Sequence, residues 1–313
     1  MKKYFAFFIV ILINIACNDG NIAVQDISFD SVAGFNCGNI SYKIKGNEVL
    51  IIKYDDISKA YLTDQTLPNA PTSLVISAAN PVTYRVYNAP PTAANFCGSP
   101  VPPATPIVVE EWTATSGTIE ITTTIAKMTD TATNATRISG YNNLVFLKNV
   151  TFKKPNGDQF YETFSFGNMS LSINQLNLTF ADDIKQCLAP KILTAKIGAV
   201  ALMSFDNSDN LIQNIATTAG NRRISTINST TNKLIYRTFS ALDPANYLCK
   251  SAFLPADSLV DEWKAVSGTV EVETTQTGLL FSHKVFLKGV KFVRKNSDFY
   301  FGDDVQVGKI ETN

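Results

Sequence analysis

Apolar and polar residues alternate along much of the chain. In the segment TIEIT, Ile119 and Ile121 fall on one face, while Thr118, Glu120 and Thr122 fall on the other. TVEVE repeats the arrangement with Val270 and Val272. A period of two is the signature of an antiparallel strand with one face buried. Thr, Val, Ile, Phe and Tyr recur throughout and suit pleated sheet. Turn-forming groups punctuate the runs at Lys45-Gly46-Asn47, Asn80-Pro81, Ser116-Gly117, Pro155-Asn156-Gly157-Asp158 and Ser267-Gly268. In the first half the pattern predicts strands near 26–32, 40–45, 48–56, 72–78, 82–88, 108–125, 137–153 and 159–173. No stretch carries a convincing helical period. Short helical turns are expected at Pro91–Phe96 and Pro244–Leu248.

The pattern occurs twice. VEEWTATSGTIEITT (109–123) answers VDEWKAVSGTVEVET (260–274), and LVFLKNVTFKK (144–154) answers KVFLKGVKFVR (284–294). TYRVYN (83–88) answers IYRTFS (235–240), and Cys37 and Cys97 answer Cys187 and Cys249. Two copies of one all-β module follow, covering 31–173 and 174–313, each of ordinary domain size. About eight antiparallel strands per module are expected, arranged as a β-sandwich or as a lipocalin-like meander barrel. The copies differ mainly between Trp and the next matched Val. Trp112 to Val145 spans 33 positions and Trp263 to Val285 spans 22, so the first copy carries eleven extra residues. That polar stretch is expected to lengthen a hairpin or form a loop.

In VFLKNVTF the apolar phase slips. Val145 and Leu147 share one face, and Val150 and Phe152 share the other. The slip falls at Asn149, and at Gly289 in the second copy. Two readings stand: a β-bulge at a residue that accepts left-handed backbone, or a central strand buried on both faces.

The N-terminus has a different pattern. Lys2 and Lys3 precede the apolar run Tyr4–Ile13, then Ala16 and Cys17. The run is too short to span a bilayer and suits a signal-peptide core over residues 1–16. A small residue before a cysteine directly after such a run resembles the lipobox of bacterial lipoproteins, although Asn14 stands where that family carries an aliphatic residue. The resemblance implies that Cys17 receives a diacylglycerol and becomes the new N-terminus. Asn18-Asp19-Gly20 is similar to the polar start of Bacteroidota outer-membrane lipoproteins, and residues 18–30 would continue it as a tether. The implied location is the outer membrane, with the periplasmic or cell-surface face left open. Acyl chains on Cys17 would supply the membrane contact.

The chain has five cysteines. Acylation would consume Cys17, leaving two matched pairs. The repeat favours disulfides Cys37–Cys97 and Cys187–Cys249 in an oxidising compartment. A metal site is poorly supplied, with one histidine and no close cysteine pair.

The full chain has 27 basic and 27 acidic residues. Loss of Lys2 and Lys3 with the signal leaves a slightly acidic protein without a basic block, so nucleic acid is not an expected partner. The lone histidine, His283, is matched by Asn143 and cannot serve a mechanism common to both copies. Glu110-Glu111 and Asp261-Glu262 precede the tryptophans. Neighbours on a strand point to opposite faces, so a structural role is expected, with one acid meeting Arg85 or Arg237. Asp206, Ser208 and Asn210 resemble the start of a calcium loop but lack the glycine and glutamate that complete one, and a β-turn is expected instead. Asp30-Ser31-Val32, Asp130-Thr131-Ala132 and Asp257-Ser258-Leu259 resemble the O-glycosylation triplets of exported Bacteroidota proteins, making Ser31, Thr131 and Ser258 candidate acceptors. No nucleophile elbow, phosphate loop or zinc motif appears, and no cofactor is expected.

These readings converge on a lipid-anchored envelope protein that binds, adheres or supports rather than catalyses. A surface glycan, peptide or protein is the expected ligand class. Two alternatives remain: a carrier enclosing an apolar ligand, and a glycan hydrolase working through carboxylates alone.

Overall fold

The computed structural model describes residues 27–98, 104–176, 178, 180–188, 191–197, 201–207, 209–240 and 259–313. Among these, nearly all regular structure is strand. The first sheet contains β1 (Gly34–Cys37), β2 (Ile40–Lys45), β3 (Glu48–Lys53), β4 (Thr72–Val75), β5 (Val82–Tyr87), β6 (Val108–Thr129), β7 (Thr136–Lys154) and β8 (Gly157–Ser172). Its order is β1-β2-β3-β5-β6-β7-β8, with β4 paired to β6. Two short helices, α1 (Ile57–Ala60) and α2 (Ala94–Cys97), interrupt it. The second sheet contains β9 (Phe180–Leu188), β10 (Lys191–Ile197), β11 (Ala201–Asp206), β12 (Arg223–Thr226), β13 (Leu234–Phe239), β14 (Leu259–Thr277), β15 (Leu280–Arg294), β16 (Ser297–Tyr300) and β17 (Val305–Thr312).

The two sheets share one wiring. Tyr84 pairs with Trp112 and Arg85 with Glu111 in the first; Tyr236 pairs with Trp263 and Arg237 with Glu262 in the second. β4 and β12 attach at matching positions, Thr72 opposite Ile121 and Arg223 opposite Val272. The repeat in the sequence is therefore a repeat of register. Both tryptophans are fully buried, each against the matched tyrosine or the strands beyond it.

The copies differ in closure. The first sheet's path ends at β1 and β8, with no ladder joining them among the described residues. The second returns on itself, because β17 meets β9 in parallel at Lys309 and Asp183. The strand corresponding to β8 is also broken there into β16 and β17 by Phe301–Asp304.

Asn149 and Gly289 both adopt positive φ, 50° and 62°. The register shifts beside them, and Val145, Leu147, Val150 and Phe152 all reach the first core. The slip is thus a bulge, which returns the apolar phase to one face. Opposite it stand Gly117 and Gly268. A Cβ on Gly268 would lie 2.7 Å from Val290 Cα, and one on Gly117 would lie 2.8 Å from the Lys148 carbonyl. Ser-Gly recurs in both copies because the kinked partner strand approaches too closely for any side chain.

In β3, successive residues serve two layers. Leu50 and Ile52 enter the main core, while Val49 and Ile51 join Tyr42 and Tyr87 in a smaller cluster. Phe96 and the cystine cover that cluster. Cys37 and Cys97 are bonded, with Cα atoms 5.9 Å apart. The bridge fastens α2, which overlaps the expected helical turn and ends one residue beyond it, over this second layer.

One expected strand is absent. Residues 27–32 are irregular, and the edge strand lies at Gly34–Cys37. Ile27 and Phe29 are buried in the first core, although they stand at the end of the segment read as a tether. Lys43 explains the burial. Its Nζ donates to the Phe29 carbonyl at 3.1 Å, and Lys45 Nζ donates to the Ser28 carbonyl at 3.0 Å. Lys43 itself is buried beside Phe166, in space left by the missing side chain of Gly167. Burial lowers its pKa, and Asp30 partly opposes that shift.

The eleven extra residues lengthen the β6–β7 hairpin and join the modules. Thr133 O accepts from Asp303 N at 2.9 Å, and Thr136 Oγ1 accepts from Tyr300 N at 2.7 Å. Asn134 donates to Asp303, Arg137 to the Tyr300 carbonyl, and Lys127 pairs with Asp298. Ile138 and Tyr141, both on β7, are buried in the second module's core rather than the first's.

Candidate functional site

The matched acidic pairs are the first place to look for chemistry. Glu111 accepts from Arg85 Nε at 2.6 Å, and Glu262 from Arg237 Nε at 2.7 Å, as the pairing of the strands requires. Burial opposes ionisation of Glu262, but Arg237 and Lys264 outweigh it and hold the carboxyl below its usual range. Glu110 faces the other way and accepts from Trp112 Nε1 at 2.7 Å. Asp261 is one methylene shorter and instead pairs with Arg294. Trp263 Nε1 is left as a buried donor without a partner among the described residues. A cation covers each indole: Lys154 at 4.8 Å from the Trp112 ring and Arg294 at 4.8 Å from Trp263. Each of the four carboxylates thus meets a partner in its own module.

His283 is fully buried on β15. Arg223 donates to Thr274 Oγ1 at 2.7 Å, and that hydroxyl lies 2.8 Å from His283 Nδ1. On the other side, Nε2 faces Thr312 Oγ1 at 2.8 Å, and that hydroxyl donates to Asn214. Because Thr312 gives its proton to Asn214, Nε2 is the donor of that pair. Burial first, then the Arg223 charge, lowers the histidine pKa. In the first module Asn143 takes the corresponding place and accepts from Thr123 Oγ1 at 2.6 Å.

The calcium-loop resemblance resolves into a turn. Asn210 N donates to the Asn207 carbonyl at 3.2 Å, with Asn210 at φ 50°. Asp209 is occupied by Ser225 and Asn232. Ser208 lies outside the described residues. Among the described residues no group of three His, Cys, Asp or Glu side chains could hold a metal ion.

Ser31 and Thr131 are exposed, and Asp130 caps the turn beside Thr131 by accepting from Ala132 N and Thr133 N. Ser258 and Cys17 lie outside the described residues. Cys187 is buried and disulfide-bonded. Its expected partner Cys249, and the helical turn expected at Pro244–Leu248, also lie outside them.

Large side chains occupy the interiors among the described residues. Trp112, Tyr84, Phe152 and Phe166 occupy the first. Ile184, Leu193, Met203, Phe205 and Leu287 surround a void of about 20 Å³ in the second, room for about one water molecule. Two larger hollows are present among the described residues. One of about 490 Å³ flanks the Arg237–Glu262 pair. Another, of about 470 Å³, opens at the seam, between the chain following α1 and the β15–β16 turn. Sequence reasoning missed the seam hollow, because Tyr61 and Gln65 become its neighbours only when the second module supplies Lys295 and Asn296.

Arg294, Asn296 and Ser297 build that seam. Arg294 donates to the Thr63 carbonyl at 2.7 Å, Asn296 to the Gln65 carbonyl at 3.0 Å, and Ser297 to Asp64 at 2.7 Å. Gln65 N donates to Ser297 Oγ at 3.2 Å. Comparisons with protein-family models, curated proteins and solved structures returned no match.

Proposed function

We propose that this chain is a lipid-anchored envelope protein with a non-catalytic binding, adhesion or structural role. The anchoring half rests on Lys2, Lys3, the apolar run and Cys17. It includes an outer-membrane location, with the face left open, and glycan acceptors at Ser31, Thr131 and Ser258. The observation that carries the non-catalytic half is the commitment of Glu110, Glu111, Asp261 and Glu262 to arginine or tryptophan in both modules. A carboxylate hydrolase needs two carboxyls facing each other across a cleft, roughly 5–9.5 Å apart. Among the described residues, the large side chains buried in both cores likewise weigh against a cargo carried inside.

The test is detergent phase partition and mass spectrometry of the full chain beside Cys17→Ser. The wild type should partition with detergent and carry a diacylated N-terminal cysteine. The variant should remain aqueous or unprocessed. An unmodified N-terminus elsewhere in the wild type refutes the anchor.

A further inference from the structure

The seam hollow joins one loop of the first module to one hairpin turn of the second. Its volume of about 470 Å³ falls within the usual range for small-molecule sites, roughly 300–1,000 Å³. Its chemistry is selective in four respects. First, the lining has one carboxylate, Asp64, and one ammonium, Lys295. That balance favours neither an anionic nor a cationic ligand. Second, the Tyr61 hydroxyl, the Gln65 carboxamide and the Lys295 ammonium meet no protein partner among the described residues. Together they present both donors and acceptors. Third, Tyr61 lines the same wall, half-buried, with its ring packed against the first core. Fourth, part of the loop backbone is already engaged. The Thr63 and Gln65 carbonyls and the Gln65 N–H bind Arg294, Asn296 and Ser297. A peptide adding itself as a strand would need those groups, so recognition here must run through side chains.

Lys295 gives a separate pointer. It sits at φ 49° in a two-residue hairpin turn, a conformation in which glycine carries no steric cost. A lysine held there at the mouth of a hollow gives up backbone comfort while placing an ammonium at that position.

Resting on the non-catalytic reading above, we infer that the module seam binds a neutral oligosaccharide. A sugar ring offers an apolar face to Tyr61. Its hydroxyls both donate and accept, which suits Gln65, Asp64 and Lys295. The open shape suits a unit within a longer chain.

The experiment uses the full chain in lipid nanodiscs. The probes are neutral β-glucan, xylan, mannan and chitin fragments, with uronate-bearing and sulfated oligosaccharides and a peptide library beside them. Neutral fragments should bind, and Tyr61→Ala and Gln65→Ala should each weaken binding about tenfold, as expected when ligand hydroxyls lose their partners. Lys295→Gly should weaken binding without lowering the melting temperature, because glycine accepts the backbone angle; a merely structural role for Lys295 would leave binding unchanged. Retention of no neutral fragment at millimolar concentration overturns the inference, as does retention of acidic sugars or peptides alone. Binding that none of the three variants alters places the sugar elsewhere and overturns the seam assignment while leaving the non-catalytic reading standing. Cleavage of a bound fragment, lost in the same variants, would support the site and overturn the non-catalytic reading.

Discussion

Truncating Ile138 to alanine should destabilise the module to which it does not belong in sequence. Ile138 lies on β7 of the first repeat, opposite Lys127, yet its side chain is 4% exposed within the second module's core. Removing a buried Ile side chain to Ala costs about 2–5 kcal/mol, the larger values where the site cannot collapse. Here Tyr141 stands beside it in the cluster, and the hairpin is fastened at Thr133, Thr136 and Lys127, so little collapse is expected. We therefore expect about 3 kcal/mol. For a unit of this size each kcal/mol shifts the midpoint by about 2–4 °C, giving a fall of roughly 6–12 °C. The assay is built into the chain, since each module has a single tryptophan. Thermal unfolding followed by fluorescence in a Trp112→Phe background reports the second module through Trp263, and Trp263→Phe reports the first. Ile138→Ala should lower the Trp263 transition more than the Trp112 transition. Val145→Ala, within the first core, should do the reverse. Equal shifts for both reporters, or a larger shift at Trp112, would refute the assignment of Ile138 to the second core.

Opening the Cys37–Cys97 bridge by a double Cys→Ser substitution should cost about 4 kcal/mol, the chain-entropy value for a loop of 60 residues, read from denaturant midpoints of the Trp112 signal. Stability should also fall in mild acid. The folded His283 pKa lies below its unfolded value near 6.5, so the unfolded chain binds more protons once the pH drops under that value. Stability is complete above about pH 6.5, declines as pH falls, and levels off below the folded pKa. His283→Asn, which copies Asn143, should remove this slope from the Trp263 transition, and an unchanged slope would locate the titration elsewhere.

Much of the fold was legible because alternation and turn chemistry are local. The Ile119–Ile121 and Val270–Val272 faces point inward as the period required. The Arg85–Glu111 and Arg237–Glu262 pairs follow from adjacent strands in matching register. The slip at Asn149 had two readings because sequence spacing cannot report a φ angle; the positive φ decides for the bulge. Other features depend on distant groups. Lys43 reads as an outward residue until Gly167 leaves it room and the Phe29 carbonyl meets it. The irregular Ile27–Phe29 segment was mistaken for a strand because apolar residues buried without a ladder look the same in sequence. Period two would place Ile138 and Tyr141 on opposite faces; the register shift at Ala126–Lys127 breaks that phase, and sequence cannot name the core they enter. The seam was hidden for the same reason, since its two walls lie about 230 residues apart in the chain.

The lengthened hairpin has a consequence for how these modules associate. A head-to-tail contact between two copies of one fold is heterologous, and repeating it would generate an open polymer. Such growth requires every module to offer both a donor and an acceptor. Here the long donor hairpin belongs to the first copy alone, and β14–β15 ends in the tight turn Gly278-Leu279. The acceptor break at Phe301–Asp304 belongs to the second alone, while β8 runs uninterrupted through the matching region. Each copy therefore keeps half of the joint. Once Thr133 meets Asp303 the joint is saturated, so it gives neighbouring molecules no means of propagating the same contact into a filament.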